Sequence, residues 1–140
     1  MYRLEPATIS DYTKLAKNST ESGKPDYEML KGTKLTRLMI DGQLVALAGY
    51  KDMMLPDSHG DLHEWRVLGC LFRKDLYRYT KTIVKAGNEY LKSIGEKPIL
   101  AVTVLGNSIF ERFITYMGFN DTKELVKDEE TDIMYKMYVR

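Results

Sequence analysis

One hundred and forty residues, 44% hydrophobic and 29% charged, suit one domain over residues 1–140 that buries roughly two thirds of the surface of its unfolded chain. Twenty-one Lys and Arg against twenty Asp and Glu leave a formal charge of +1, so no global field draws in nucleic acid or an anionic membrane, and any anion site must be local. The only cysteine, Cys70, excludes an intrachain disulfide and a cysteine-rich zinc site, and no apolar run approaches the ~18 to 20 residues of a membrane span.

Met1 to Pro6 lacks the apolar stretch of a secretory signal, which makes the cytoplasm the expected compartment. The chain opens with an extended segment, Tyr2 to Pro6. A short helix follows, with Ser10 as its expected N-cap and Ile9, Tyr12, Leu15 and Ala16 along one side. Asn18 to Pro25 reads as a polar connection, and Asp26 to Lys31 as a helical turn or two that Gly32 terminates. Leu35 to Ile40 and Leu44 to Tyr50 are strand-like runs joined through Asp41-Gly42, a pair that tolerates the positive φ of a tight hairpin.

Pro56 to Asp61 is an expected loop. Leu62 to Phe72 is a long strand in which Gly69 has no side chain to pack, so a bulge is expected there. Leu76, Tyr79, Ile83, Ala86, Gly87, Tyr90, Leu91 and Ile94 recur at steps of three and four, which predicts the longest helix, ended by Gly95. Ile99 to Leu105 is a continuous apolar run suited to a strand covered on both faces. Asn107 then caps a helix carrying Ile109, Phe110, Phe113 and Met117, closed by Gly118. Phe119 to Val126 and Ile133 to Val139 flank the acidic turn Asp128 to Asp132 and predict an antiparallel pair.

This order gives an α/β fold, a mixed and mostly antiparallel sheet with helices on both faces, in which Leu62 to Leu105 forms a parallel crossover. Ligands in such sheets favour the carboxyl ends of the strands, here Phe72 to Lys74 and Gly106 to Ser108.

The element order, together with Asn107, Gly118 and Phe119, resembles the GNAT superfamily of acetyl-CoA-dependent N-acetyltransferases over nearly the whole chain. The late helix of that family carries an Asn, a small residue three on, a Tyr seven on, and Gly-Phe at eleven and twelve. Small GNAT-like proteins encoded by tailed phages, some of them virion components, are similar in length, which would make the compartment a host cytoplasm or a virion. The resemblance implies a pantetheine arm laid along Val67, Leu68, Gly69, Cys70 and Leu71 as a pseudo-strand where the sheet splays, with Gly69 permitting close approach. It also implies Glu64 as the base that deprotonates an acceptor amine, with His63 beside it on the opposite face.

Two departures stand against this. Family members cradle the pyrophosphate in a glycine-containing loop before the long helix, because backbone N–H groups close on a phosphate only where side chains do not intervene. Here the segment from Phe72 to Thr80 contains no glycine. Arg73, Lys74 and Arg78 are left to meet phosphates by charge at an expected helix start, with Lys81 and Lys85 extending the basic stripe, Asp75 opposing it, and Asn107 completing the cofactor set. The family's general-acid Tyr falls at Ile114, which donates no proton; Tyr116 lies about 200° round the helix, and Phe110 replaces the small residue. Two functions therefore stay open: acetyl transfer from acetyl-CoA to a small-molecule or protein amine, or a non-catalytic binding or structural protein on the same scaffold with a protein partner.

Other constellations carry less. Asp57, His59, Asp61, His63 and Glu64 crowd one segment, but Pro56 and Gly60 disfavour the helix that would bring the imidazoles together, so no metal is expected. Cys70, among Leu68, Gly69, Leu71 and Phe72, reads as a small buried hydrophobe. Asn18-Ser19-Thr20 matches a glycosylation sequon only by letters.

Overall fold

The computed structural model describes residues 1–17, 32–56, 59–95, 97–104, 108–127, 129, 132 and 134–140. The polar connection and helical turn expected across residues 18–31, and the Asn107 cap, lie outside them. In chain order the elements are β1 (Tyr2–Pro6), α1 (Ile9–Ala16), β2 (Lys34–Ile40), β3 (Gln43–Pro56), β4 (Leu62–Phe72), a 3-10 turn (Leu76–Tyr79), α2 (Thr80–Ser93), β5 (Ile99–Val104), α3 (Ser108–Tyr116), β6 (Asn120–Lys127) and β7 (Met134–Val139). They form a mixed α/β fold on a seven-stranded sheet in the order β1-β2-β3-β4-β5-β7-β6. The β4–β5 pair is parallel, while β1–β2, β2–β3, β5–β7 and β6–β7 are antiparallel.

The chain divides into two compact units, Met1–Tyr50 with Cys70–Gly95, and Lys51–Gly69 with Glu96–Arg140. In the first, α1 starts two residues earlier than the sequence predicts. Thr8, not Ser10, is the N-cap: its hydroxyl accepts from Asp11 N–H at 3.3 Å while the Asp11 carboxylate accepts from Thr8 N–H at 2.9 Å. This reciprocal capping box satisfies two helix-start donors at once. Leu15 on the inner side of α1 packs with Leu47 and Leu71, flanked by Ala7, Tyr12, Ala16 and Leu44. The β2–β3 turn is as expected, with Asp41 and Gly42 at φ +50° and +78°, the two positive values that a type I′ hairpin needs. Further along this hairpin the register slips: Leu38 faces Ala46 but Met39 faces Leu44, which leaves Val45 bulged on β3. Among the described pairings, register shifts fall here and in β6–β7.

The long helix is shorter than its apolar periodicity suggests. Leu76–Tyr79 winds as a 3-10 turn, and the α-helix begins only at Thr80; it buries Ile83, Ala86, Tyr90 and Leu91 and ends at Ile94 and Gly95, φ +95°. In the second unit, β5 pairs with β7 over five residue pairs, from Leu100↔Val139 to Val104↔Tyr135. α3 closes as predicted at Gly118, φ +89°, and buries Phe113 and Ile114. No helix among the described residues is long and apolar enough to cross a membrane.

Candidate active site

Of the predicted residues, strand β4 carries Glu64 and Val67 to Leu71. In the second unit, Glu64 stands near the start of β4, half exposed, and its carboxylate accepts a hydrogen bond from Lys97 Nζ. The same ammonium reaches Asp52 at 3.2 Å. Asp52 in turn receives Arg66 in a two-pronged pair, Nε at 2.8 Å and Nη2 at 3.0 Å, the planar fork that guanidinium and carboxylate share. These bonds from Arg66 outweigh the cost of burial, and with the help of Lys97 they hold the Asp52 carboxyl down at about 2. The Glu64 and Asp52 bonds conversely hold the Lys97 ammonium charged above the usual lysine range. Sequence reading missed Asp52 and Lys97. Lys97 stands level with Glu64 only because Ile99 registers with Arg66 across a parallel ladder, a pairing that no local pattern reveals.

That ladder is short. The β4–β5 register runs Arg66↔Ile99, Val67↔Leu100 and Leu68↔Ala101, whereas β5 continues against β7 to Val104. Leu68 is buried, and Val67 is partly so. Gly69, the next residue, is exposed in mid-strand, and a side-chain carbon there would meet no atom within 4 Å.

In the first unit, β4 continues through Cys70, Leu71 and Phe72, the last two buried. Cys70 is partly buried and lines an apolar cleft with Leu38, Ala46, Phe72, Ala86 and Gly87. Arg73 follows, and its N–H donates to the carbonyl of the bulged Val45 at 2.9 Å, which fixes where the chain leaves the sheet. Its side chain is not the free cation that a phosphate site needs. Nε and Nη2 bond the two Asp75 oxygens at 2.6 and 2.5 Å, and Nη1 donates to Gln43 at 3.0 Å. The Arg73 bonds hold the Asp75 carboxyl below its ordinary range. Asp75 thus does more than oppose the basic stripe, because it engages one member outright. Lys74 and Arg78 are exposed, as are Lys81 and Lys85 on α2. Since the α-helix begins at Thr80, none of Arg73, Lys74 and Arg78 stands in its first turn, which corrects the expected helix-start placement.

Ile114 is completely buried, so the position of the family's tyrosine is a core position here, while Tyr116 is exposed. Among the described residues no cluster of His, Cys, Asp and Glu could hold a metal ion.

No family model matches the sequence, and no curated protein matches it. Solved structures do match in fold. Arabidopsis thaliana NAA60, solved with a bisubstrate analogue, aligns with 99% of this chain and 98% of its own at a TM-score of 0.70 and 15% identity. Solved with acetyl-CoA, the same protein aligns with 100% and 98% at 0.67 and 13%. An N-acetyltransferase from Staphylococcus aureus Mu50 covers 99% of this chain and 96% of its own at 0.64 and 13%. A spermidine N-acetyltransferase chimera from Vibrio cholerae and hSSAT covers 99% and 93% at 0.64 and 10%. The described residues therefore have the GNAT fold. At such identities the likeness is one of fold, and activity has to be argued from the residues.

Proposed function

We propose that this chain is a single GNAT-like domain that transfers an acetyl group from acetyl-CoA to an amine, a small molecule or a protein amino group. The observation that carries the proposal is the end of the β4–β5 ladder at Leu68↔Ala101, directly before the exposed, unobstructed Gly69. A pantetheine arm needs such a stretch of strand to run along, from Leu71 through Cys70, Gly69 and Leu68 to Val67, and a side chain at Gly69 would stand in its way. Acetyl-CoA would supply an acyl thioester. Lys74 and Arg78 are the exposed cations suited to its phosphates, and Asn107 belongs to the same set by its resemblance to the family motif. Arg73, held by Asp75 and Gln43, keeps the turn in shape and becomes a phosphate ligand only if Asp75 gives way.

Glu64 is the base in this scheme. It lies about 10 Å along β4 from Val67, three residues at the strand rise, so it takes the amine's proton directly or through a water. A backbone N–H of β4 would donate to the oxygen that gains charge as the amine adds. No tyrosine occupies the Ile114 position, so the leaving thiolate takes its proton from solvent.

Glu64→Gln tests the chemistry. With acetyl-CoA and a panel of primary amines, turnover should fall by about a hundredfold while acetyl-CoA affinity holds, because base catalysis contributes ~10² to 10⁴. An unchanged rate would remove Glu64 from the mechanism. The buried Ile114 favours the other reading, a binding protein on this scaffold; acetyl-CoA binding without turnover on any amine would select it.

A further inference from the structure

Lys97 is an amine already seated on the proposed base. Its Nζ donates to Glu64 and, at 3.2 Å, to Asp52, whereas Arg66 satisfies Asp52 from another side at 2.8 and 3.0 Å. The two carboxylates and Arg66 are thus arranged around one primary ammonium that remains about half exposed. A base has to lie within hydrogen-bond reach of the proton it removes, and here the nucleophile within reach belongs to the chain itself. Lys97 also stands level with Glu64 by the β4–β5 offset that pairs Ile99 with Arg66. From there its flexible four-carbon stem covers much of the ~10 Å along β4 to Val67, the end of the strand stretch along which the pantetheine arm is proposed to run.

We propose that Lys97 is an internal acetyl acceptor, modified by the domain's own acetyl-CoA, and that its acetylation releases Glu64 for external amines. The inference rests on the acetyl-CoA-dependent function argued above. In the step, Glu64 takes a proton from the Lys97 ammonium and the freed nitrogen lone pair forms a bond to the thioester carbonyl carbon. The carbon–sulfur bond breaks, its electron pair leaves on the coenzyme sulfur, which takes a proton from solvent, and the second amine proton is lost to solvent. The product amide carries no charge, so Glu64 loses its cation while Asp52 keeps Arg66. Before the step, Lys97 competes with any cationic amine for Glu64; afterwards it does not.

Spontaneous acylation would choose other lysines. Two carboxylates keep the Lys97 amine protonated above the usual range, whereas Lys81 and Lys85 are exposed on the α2 surface and react faster with a free thioester. Preference for Lys97 therefore reports the site and not the solvent.

The test incubates the full chain with acetyl-CoA and no added amine, maps the acetyl groups by peptide mass spectrometry over time at several protein concentrations, and records the unfolding midpoint with acetyl-CoA in parallel. The expected result is one dominant acetyl group on Lys97, with a rate constant independent of protein concentration. It should be slowed at least about tenfold in Glu64→Gln and absent in Lys97→Arg, a variant that keeps a cation between the carboxylates and so protects the fold. Protein first acetylated in this way should then turn over external amines faster than fresh protein. Stabilisation by acetyl-CoA with acetyl groups absent, or spread over Lys81, Lys85 and other exposed lysines, overturns this inference alone. No stabilisation by acetyl-CoA overturns it together with the proposed function.

Discussion

At the scale of single residues, the ion-pair group of Asp52, Glu64, Arg66 and Lys97 makes the sharpest statement about pH. Asp52 is held at about 2 in the folded chain, first by its hydrogen bonds from Arg66, and an unfolded aspartate titrates near ~3.9. Its contribution is therefore fully present above about pH 4 and disappears as pH falls through about 2, where the folded-state carboxylate takes up its proton. Thermal unfolding between pH 5 and pH 2 should show this: wild type loses stability more steeply than Asp52→Asn across that window, and parallel curves would contradict the assignment. Glycines make a second statement. A side-chain carbon at Gly49 would lie 2.7 Å from the Thr33 methyl and 2.8 Å from Leu35 Cδ2, whereas one at Gly69 would meet nothing within 4 Å. Gly49→Ala should cost about 1 to 3 kcal/mol by overpacking. Gly69→Val should leave the unfolding midpoint nearly unchanged and reduce acetyl-CoA affinity at least about tenfold, read by denaturant titration and calorimetry on the same samples. Equal stability losses at both positions would show that Gly69 is a packing glycine. Glu64, Gly69 and the basic residues around Arg73 were legible in the sequence as types at positions. What each one touches was not, because Lys97, Asp75 and Gln43 reach them through turns and registers that only the folded chain defines.

At the scale of elements, legibility followed the range of the interaction that fixes each one. The Asp41-Gly42 hairpin and the Gly118 stop depend on backbone angles of one or two residues, and both stand where the sequence puts them. The start of α1 moved to Thr8 because a threonine with an acid three residues on satisfies two N–H groups, which Ser10 does not. The signal lies in the sequence as Thr8 followed three residues on by Asp11. Thr8→Ala should lower stability by about 1 kcal/mol and the midpoint by a few degrees; no change would mean that Asp11, which also accepts from Arg37 at 3.3 Å, holds the helix start by itself. The opening turn of the long helix was misread for a longer-range reason. Asp75 pairs with Arg73 and Arg73 N–H is claimed by the bulged Val45, so the chain between β4 and α2 is fixed by β3, and helical periodicity in Leu76 and Tyr79 yields to a 3-10 turn.

At the scale of the whole molecule, pairing that crosses many residues is what the sequence withheld. Element order predicted a mixed sheet, but nothing local says that β7 lies between β5 and β6, or that β4 and β5 share only three paired positions. Those features carry the functional account. The central claim is that this scaffold, without a glycine cradle before α2, still binds acetyl-CoA along β4. Thermal unfolding of the full chain with increasing acetyl-CoA tests it most directly. Ligand at ~100 times its dissociation constant should add about 2.7 kcal/mol and raise the midpoint by several degrees, with the rise lost in Gly69→Val; a midpoint that stays in place up to millimolar acetyl-CoA would contradict it.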